Sequence, residues 1–175
     1  LLQVFNAFNC HVFAHDYNGA GTTRETIMVQ AGLEIDRVMP IVYYRSAASN
    51  IMVYKPPVDT HPRNYWQLDK ARSLVTTCQA IKLGVIRFFQ YDHIDMDNPG
   101  LLHDFLALVE HKVATTRGPE IYTIQRNPHF SDDFAHSVNF GCAAIWHRTQ
   151  SWPNLAVLSG MALTPDQMSA MYSDN

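Results

Sequence analysis

The apolar positions at the head of the chain, Leu1, Val4, Phe5 and Phe8, repeat with helical spacing and predict a short helix. His11-Val12-Phe13-Ala14-His15 then reads as a short strand ending at Asp16. Tyr17 to Gly21 forms a glycine-containing turn, and Thr22 or Thr23 opens a helix that runs to about Ala31. Thr22 and Glu25 stand in capping-box relation, and Gly32 follows as a helix-terminating glycine would. Val38 to Tyr44, rich in Val, Ile and Tyr, predicts a second strand, with Pro40 near its start or on a sheet edge. Ser46 to Asn64 carries Pro56, Pro57 and Pro62 and reads as an ordered loop, extended over Ile51 to Tyr54. The clearest helical stripe is Leu68, Ala71, Val75, Cys78 and Ile81, which predicts a helix from Tyr65 to Leu83 closed by Gly84. Beyond it, Val85 to Phe89 reads as a strand, and Asn98 as the cap of a helix reaching about Val113. Glu120 to Gln125 reads as half of a hairpin, and Ser131 as the cap of a final helix from Asp132 to about His147.

Strands alternating with helices, without repeats or low-complexity stretches, predict an α/β sheet with helices on its faces. A sheet whose chain opens on a helix is expected to lack earlier strands. The expected organisation is one domain over 1–148 and a polar, Met-containing tail over 149–175. A length of 175 residues, 47% of them hydrophobic and 17% charged, suffices for one ordinary core. No apolar run approaches the roughly 20 residues that span a bilayer, so no membrane partner is expected. Leu1-Leu2-Gln3-Val4-Phe5 has neither a basic lead-in nor a small-residue cleavage site; it reads as a cut inside an element rather than a signal peptide. Cys10, Cys78 and Cys142 lie far apart, which suits a reducing cytosol and argues against a zinc knuckle.

Chemistry gathers at two places. Asp16 stands at the carboxyl end of a strand, the end at which ligands collect in open α/β sheets, and Gly19 and Gly21 allow a tight turn or a close backbone approach after it. A structural turn with a solvated Asp is the alternative. No Gly-Lys-Ser/Thr follows, which excludes a P-loop, and Arg24 stands where the dinucleotide fingerprint needs its third glycine. The second place is Asp132-Asp133 at the start of the last helix, with His136 one turn on and on the same face. Acidic residues also favour a helix N-terminus, so plain capping is the alternative there. Taken together, acids from a strand end and a helix start are the supply that two-metal phosphodiester hydrolysis needs, with two hard cations about 4 Å apart. A phosphatase would use the same set. No Gly-x-Ser-x-Gly occurs, which disfavours a serine triad. The net charge of −3 weighs mildly against a nucleic-acid binder, although carboxylates that hold metal cease to repel DNA.

His15-Asp16-Tyr17-Asn18-Gly19-Ala20-Gly21 resembles the strand-end acid and following Gly-x-Gly of the nuclease domain of phage terminase large subunits. Asp69-Lys70-Ala71-Arg72-Ser73-Leu74, leading to Ile81-Lys82-Leu83-Gly84-Val85-Ile86, is similar to that family's Lys-bearing helix and the short strand after it. Asn127-Pro128-His129-Phe130-Ser131-Asp132-Asp133 resembles its late Asp-Asp motif. The three occur in the family's order and cover about residues 1 to 148. The resemblance implies an RNase H-like mixed sheet with helices on both faces, truncated at its N-terminus. It also implies a two-metal-ion endonuclease using Mg²⁺ or Mn²⁺ that cuts double-stranded DNA during genome packaging in the cytoplasm of the infected host cell. The terminase ATPase domain, the small subunit and the portal would be its partners. Asp16 would be the second acid of the metal site and Asp132 or Asp133 the third, with His136 adjusting the site or positioning water. The family's first acid lies on an opening strand that nothing here matches, so this fragment alone is expected to fall short of activity. An acid often stands where His136 is.

Lys55, Arg63, Lys70 and Arg72, interleaved with Tyr54, Tyr65 and Trp66, are candidates for contact with DNA phosphates, against the alternative of a solvated loop with its aromatic residues turned inward. Two other readings of the whole chain stay open. One is a nucleotide- or anion-binding α/β module with its ligand at the Gly19–Thr23 turn; the other is a non-catalytic terminase fragment.

Overall fold

A computed structural model of the chain describes residues 1–45, 50–88, 101–113, 121–150 and 152. It runs through α1 (Leu2–Ala7), β1 (Phe13–Asp16), α2 (Gly21–Gln30), β2 (Val38–Tyr44), β3 (Met52–Lys55), β4 (Tyr65–Asp69), α3 (Lys70–Lys82), α4 (Leu101–Leu106), β5 (Leu108–Val113), β6 (Ile121–Arg126) and α5 (Asp133–Thr149). The main sheet has the order β1-β2-β4-β3, with β1, β2 and β4 parallel and β3 antiparallel to β4. The fold is therefore α/β with a mixed sheet. β5 and β6 form a separate antiparallel hairpin, with β6 packed beside α3.

Alternation along β1 and β2 sorts their side chains between two helical layers. Val38 joins Phe5, Met28 and Leu33 beneath α1 and α2. Met39 and Ile41 join Leu68, Phe140, Ala143 and Trp152 beneath α5. Trp152 is fully buried; residues 151 and 153–175, most of the tail expected over 149–175, lie outside the described residues. Among the described residues β1 pairs with β2 alone, which leaves its other edge open. Pro40 sits in a central strand without harm. Ile41 turns its carbonyl toward β1 and accepts from the Tyr17 amide at 2.8 Å, so Pro40 faces β4, just short of where that pairing begins at Ile41.

The structure corrects several expectations. Tyr65–Asp69 is a strand, and the helix starts only at Lys70, where the Asp69 carboxylate caps it by accepting from the Arg72 amide at 3.0 Å. The buried face of α3 is Ser73, Leu74, Thr77 and Ala80, while Val75 is exposed; polar Ser73 and Thr77 are inside because Asn139 of α5 bonds both. Residues 108–113, read as helix, are β5: pairing with β6 overrides their helical propensity. Val85–Ile86–Arg87–Phe88 is not a strand, and Phe89, Asn98 and Glu120 lie outside the described residues.

α2 begins at Gly21 rather than at a threonine, and Glu25 does not serve the expected capping box. Its buried carboxylate meets His15 Nε2 at 3.0 Å and Arg63 Nη1 at 2.8 Å. Arg63 also donates to the carbonyls of Ile35 and Val38. The ion cluster thus ties α2, β1 and the segment before β4 together, and it fixes the backbone from which Asp16 projects.

Candidate active site

Asp16 closes β1, and the backbone after it must turn at once into α2. Gly19 takes a left-handed φ of +56°, which a side chain would oppose. Gly21 fills a different need. A Cβ on it would stand 1.9 Å from the Asp16 carbonyl oxygen, so the start of α2 lies directly against the residue that carries the acid. Asp16 Oδ1 accepts from the Asn18 amide at 2.9 Å, and the Gly21 amide donates to Asn18 O. These two amides of the turn are therefore spent within the turn, and the close approach allowed by the glycines is to the protein's own backbone.

The facing wall is the start of α5. Its free amides are served by Ser131 Oγ, which accepts from the Asp133 amide, and by Asp104 of α4, which accepts from the Phe134 amide at 2.7 Å. Asp132 makes no side-chain cap. Asp132 thus sits at the N-cap position without capping through its side chain, and Asp133 lies in the first turn, where an acid suits the helix dipole. Asp133 is exposed, and its carboxylate bonds no described side chain. Asp132, 8% exposed, accepts at 2.9 Å from His136 and has Arg126 Nη1 at 4.0 Å.

Behind Asp132 runs a chain of hydrogen bonds whose direction can be deduced. Ser73 Oγ gives its hydrogen to Lys70 O, so it accepts from Asn139 Nδ2 at 2.9 Å, and this sets the amide. Asn139 Oδ1 then accepts from Thr77 Oγ1 at 2.8 Å, and Nδ2 also donates to the Tyr43 hydroxyl at 3.0 Å. The Tyr43 hydrogen is left for His136 Nδ1 at 2.8 Å, so His136 Nε2–H donates to Asp132. Burial pushes the Tyr43 phenol far up, against the Asn139 bond that lowers it, and the charges of Asp16 and Asp132 push it further. Tyr43 stays a donor. Burial, then the Lys70 charge, holds His136 below its ordinary value, against the opposing pull of Asp132 and Asp16.

A depressed histidine makes a signed prediction. The unfolded chain takes up this proton near the ordinary value of 6.5 and the folded chain takes it up lower. Its contribution to stability is full above pH 6.5, falls as pH drops from there through the folded value, and then levels off. Melting temperatures recorded from pH 7.5 to 5 should fall less steeply for His136→Gln than for the parent chain; parallel curves would contradict the assignment.

Asp16, Asp132, Asp133 and His136 line one open cleft of about 630 Å³, together with Lys70 and Arg126. The four site residues expected from the sequence are thus brought together. Of the four expected DNA contacts, only Lys70 belongs to the cleft. Arg63 is a structural tie to Glu25, Arg72 is exposed on the first turn of α3, and Lys55 pairs in register with Tyr65. The sequence reading missed Tyr43, Asn139, Arg126 and Asp104. Asn139 was within reach, because Asp132, His136, Asn139 and Ala143 form one helical stripe running from the acids into the core. Among the described residues no three acidic, histidine or cysteine side chains converge closely enough to hold an ion between them. No helix among those residues is long and apolar enough to cross a membrane.

The chain matches no protein-family model, no curated protein and no solved structure.

Proposed function

We propose that the chain is a metal-dependent endonuclease domain of RNase H-like architecture, cutting double-stranded DNA as the terminase nuclease does in phage genome packaging. The observation that carries this reading is the sharing of one cleft by Asp16, from a strand end, and the Asp132-Asp133 pair, from a helix start at the other end of the sequence. Mg²⁺ and Mn²⁺ prefer oxygen ligands, and Mg²⁺ is commonly held by one or two carboxylates completed by water and substrate phosphate. The donor set fits that habit. Asp16 and Asp133 would hold the cation, which when bound supplies an activated water and charge for the leaving oxygen. Asp132 is anchored by the hydrogen bond from His136. Both nitrogens of His136 are engaged, so it orients Asp132 rather than positioning water. Lys70 and Arg126 offset the phosphate charge that the acids would otherwise repel.

The test is nicking of supercoiled plasmid by the protein. Nicking should require Mg²⁺ or Mn²⁺, stop with EDTA, and fall about a hundredfold or more in Asp133→Asn. Nicking that EDTA leaves unchanged, or none with either cation, would sink the reading.

A further inference from the structure

A second cavity, of about 490 Å³, lies beyond Lys70 and Arg126, between the end of β2, the first turn of α3 and β6. We infer that it is a binding site for a backbone phosphate of a nucleic-acid strand whose neighbouring phosphate lies in the acidic cleft. The inference rests on the proposed substrate class and adds to it the path of the strand.

Three observations carry it. The lining holds three cations, Arg45, Lys70 and Arg126, and no carboxylate. That is against the balance of a chain with 16 acidic and 13 basic residues, so the local field is positive where the overall charge is negative. The cations are also available. Among the described residues neither Arg45 nor Lys70 has an acidic partner, and Arg126 only approaches Asp132, at 4.0 Å. The Lys70 ammonium is held over the Tyr43 ring at 5.6 Å from its centre, which directs it to the wall between the two cavities.

That wall is the third observation, because Tyr43, Lys70 and Arg126 line both cavities. A single small anion would fill one side and leave cations over. A strand carrying one charge per roughly 3.4 Å of its axis supplies anions to both. Thr123 and Gln125 add neutral hydrogen-bonding groups, as phosphate sites commonly do.

The experiment measures binding without cutting. A fluorescein-labelled DNA duplex is titrated with the full chain in EDTA at several NaCl concentrations, using the parent, Arg45→Glu, Arg45→Gln, Arg45→Lys and, as a control far along α3, Lys82→Glu. Arg45 is exposed, so the variants should melt as the parent does. Arg45→Glu should bind about tenfold more weakly, and the slope of log affinity against log salt should shrink by about one. Arg45→Gln should lie between, Arg45→Lys should recover most of the affinity, and Lys82→Glu should match the parent. Equal affinity and equal slope in Arg45→Glu and the parent would overturn the site. Nicking with Mg²⁺ separates the two proposals. Weakened binding by Arg45→Glu in a protein that never nicks supports the phosphate site and removes the nuclease; normal nicking with unaltered binding does the reverse.

Discussion

Asp16→Asn is expected to cut cation-dependent plasmid nicking by about a thousandfold or more, with no loss of thermal stability in the metal-free protein. The change keeps size and removes the charge that would hold the cation. It spares the turn, because the Asn18 amide can still donate to the side-chain oxygen that replaces Asp16 Oδ1. It also removes one negative charge from a cleft that contains Asp132 and Asp133, and easing that repulsion can raise the melting temperature of the metal-free state. Loss of activity with stability retained separates a chemical role from a structural one. Full nicking by Asp16→Asn would leave the turn after His15 as a feature of folding alone.

Gly21→Ala should cost about 3 kcal/mol in urea unfolding, at the upper end of what a single overpacked methyl causes, because the new Cβ would meet backbone rather than a side chain able to rotate away. The obstacle is the carbonyl of Asp16 itself, so any relief must move the acid, and nicking should fall further than the loss of folded protein explains. Gly19→Ala gives the comparison. Nothing lies within 4 Å of a Cβ there, and the cost is the strain of its left-handed φ, about 1 kcal/mol. Equal stabilities for Gly21→Ala and the parent would mean that α2 does not rest on Asp16 as described.

The difference between these glycines shows where the sequence was readable. A strand-end acid followed by Gly-x-Gly announces a tight turn, and the β-branched run of 38–44 announces a strand, because both follow from local sterics and alternation. What Gly21 approaches, the Asp16 carbonyl five residues back, depends on how the turn closes, and the Gly-x-Gly spacing alone does not disclose that. The same limit explains Tyr65–Asp69. A helix does run from Lys70 onward, but Tyr65 to Leu68 lie beside β2 and β3, and pairing decides their conformation. The inside of α3 was misjudged because Ser73 and Thr77 look like surface residues until Asn139 is known to face them. At the site, the acids and His136 stood out by type and spacing. Tyr43 did not, since a tyrosine in a strand looks like ordinary sheet packing; its role depends on a hydroxyl reached from another element. Asp104 lies some thirty residues before the helix it serves, beyond the range of any capping pattern.

The hydrogen-bond chain from Thr77 through Asn139, Tyr43 and His136 to Asp132 has one further consequence, for inheritance. Asn139, Tyr43 and His136 each receive at one end and give at the other, so a substitution that removes a donor or an acceptor breaks the parity of the chain. Thr77→Val strands an acceptor, Tyr43→Phe strands Asn139 and His136 together, and an acid at 136 would face the carboxylate of Asp132 with no proton between them unless it carried one itself. Viable descendants of this protein should therefore alter positions 43, 77, 136 and 139 in groups or leave them alone, and the neighbouring apolar positions should drift independently of them.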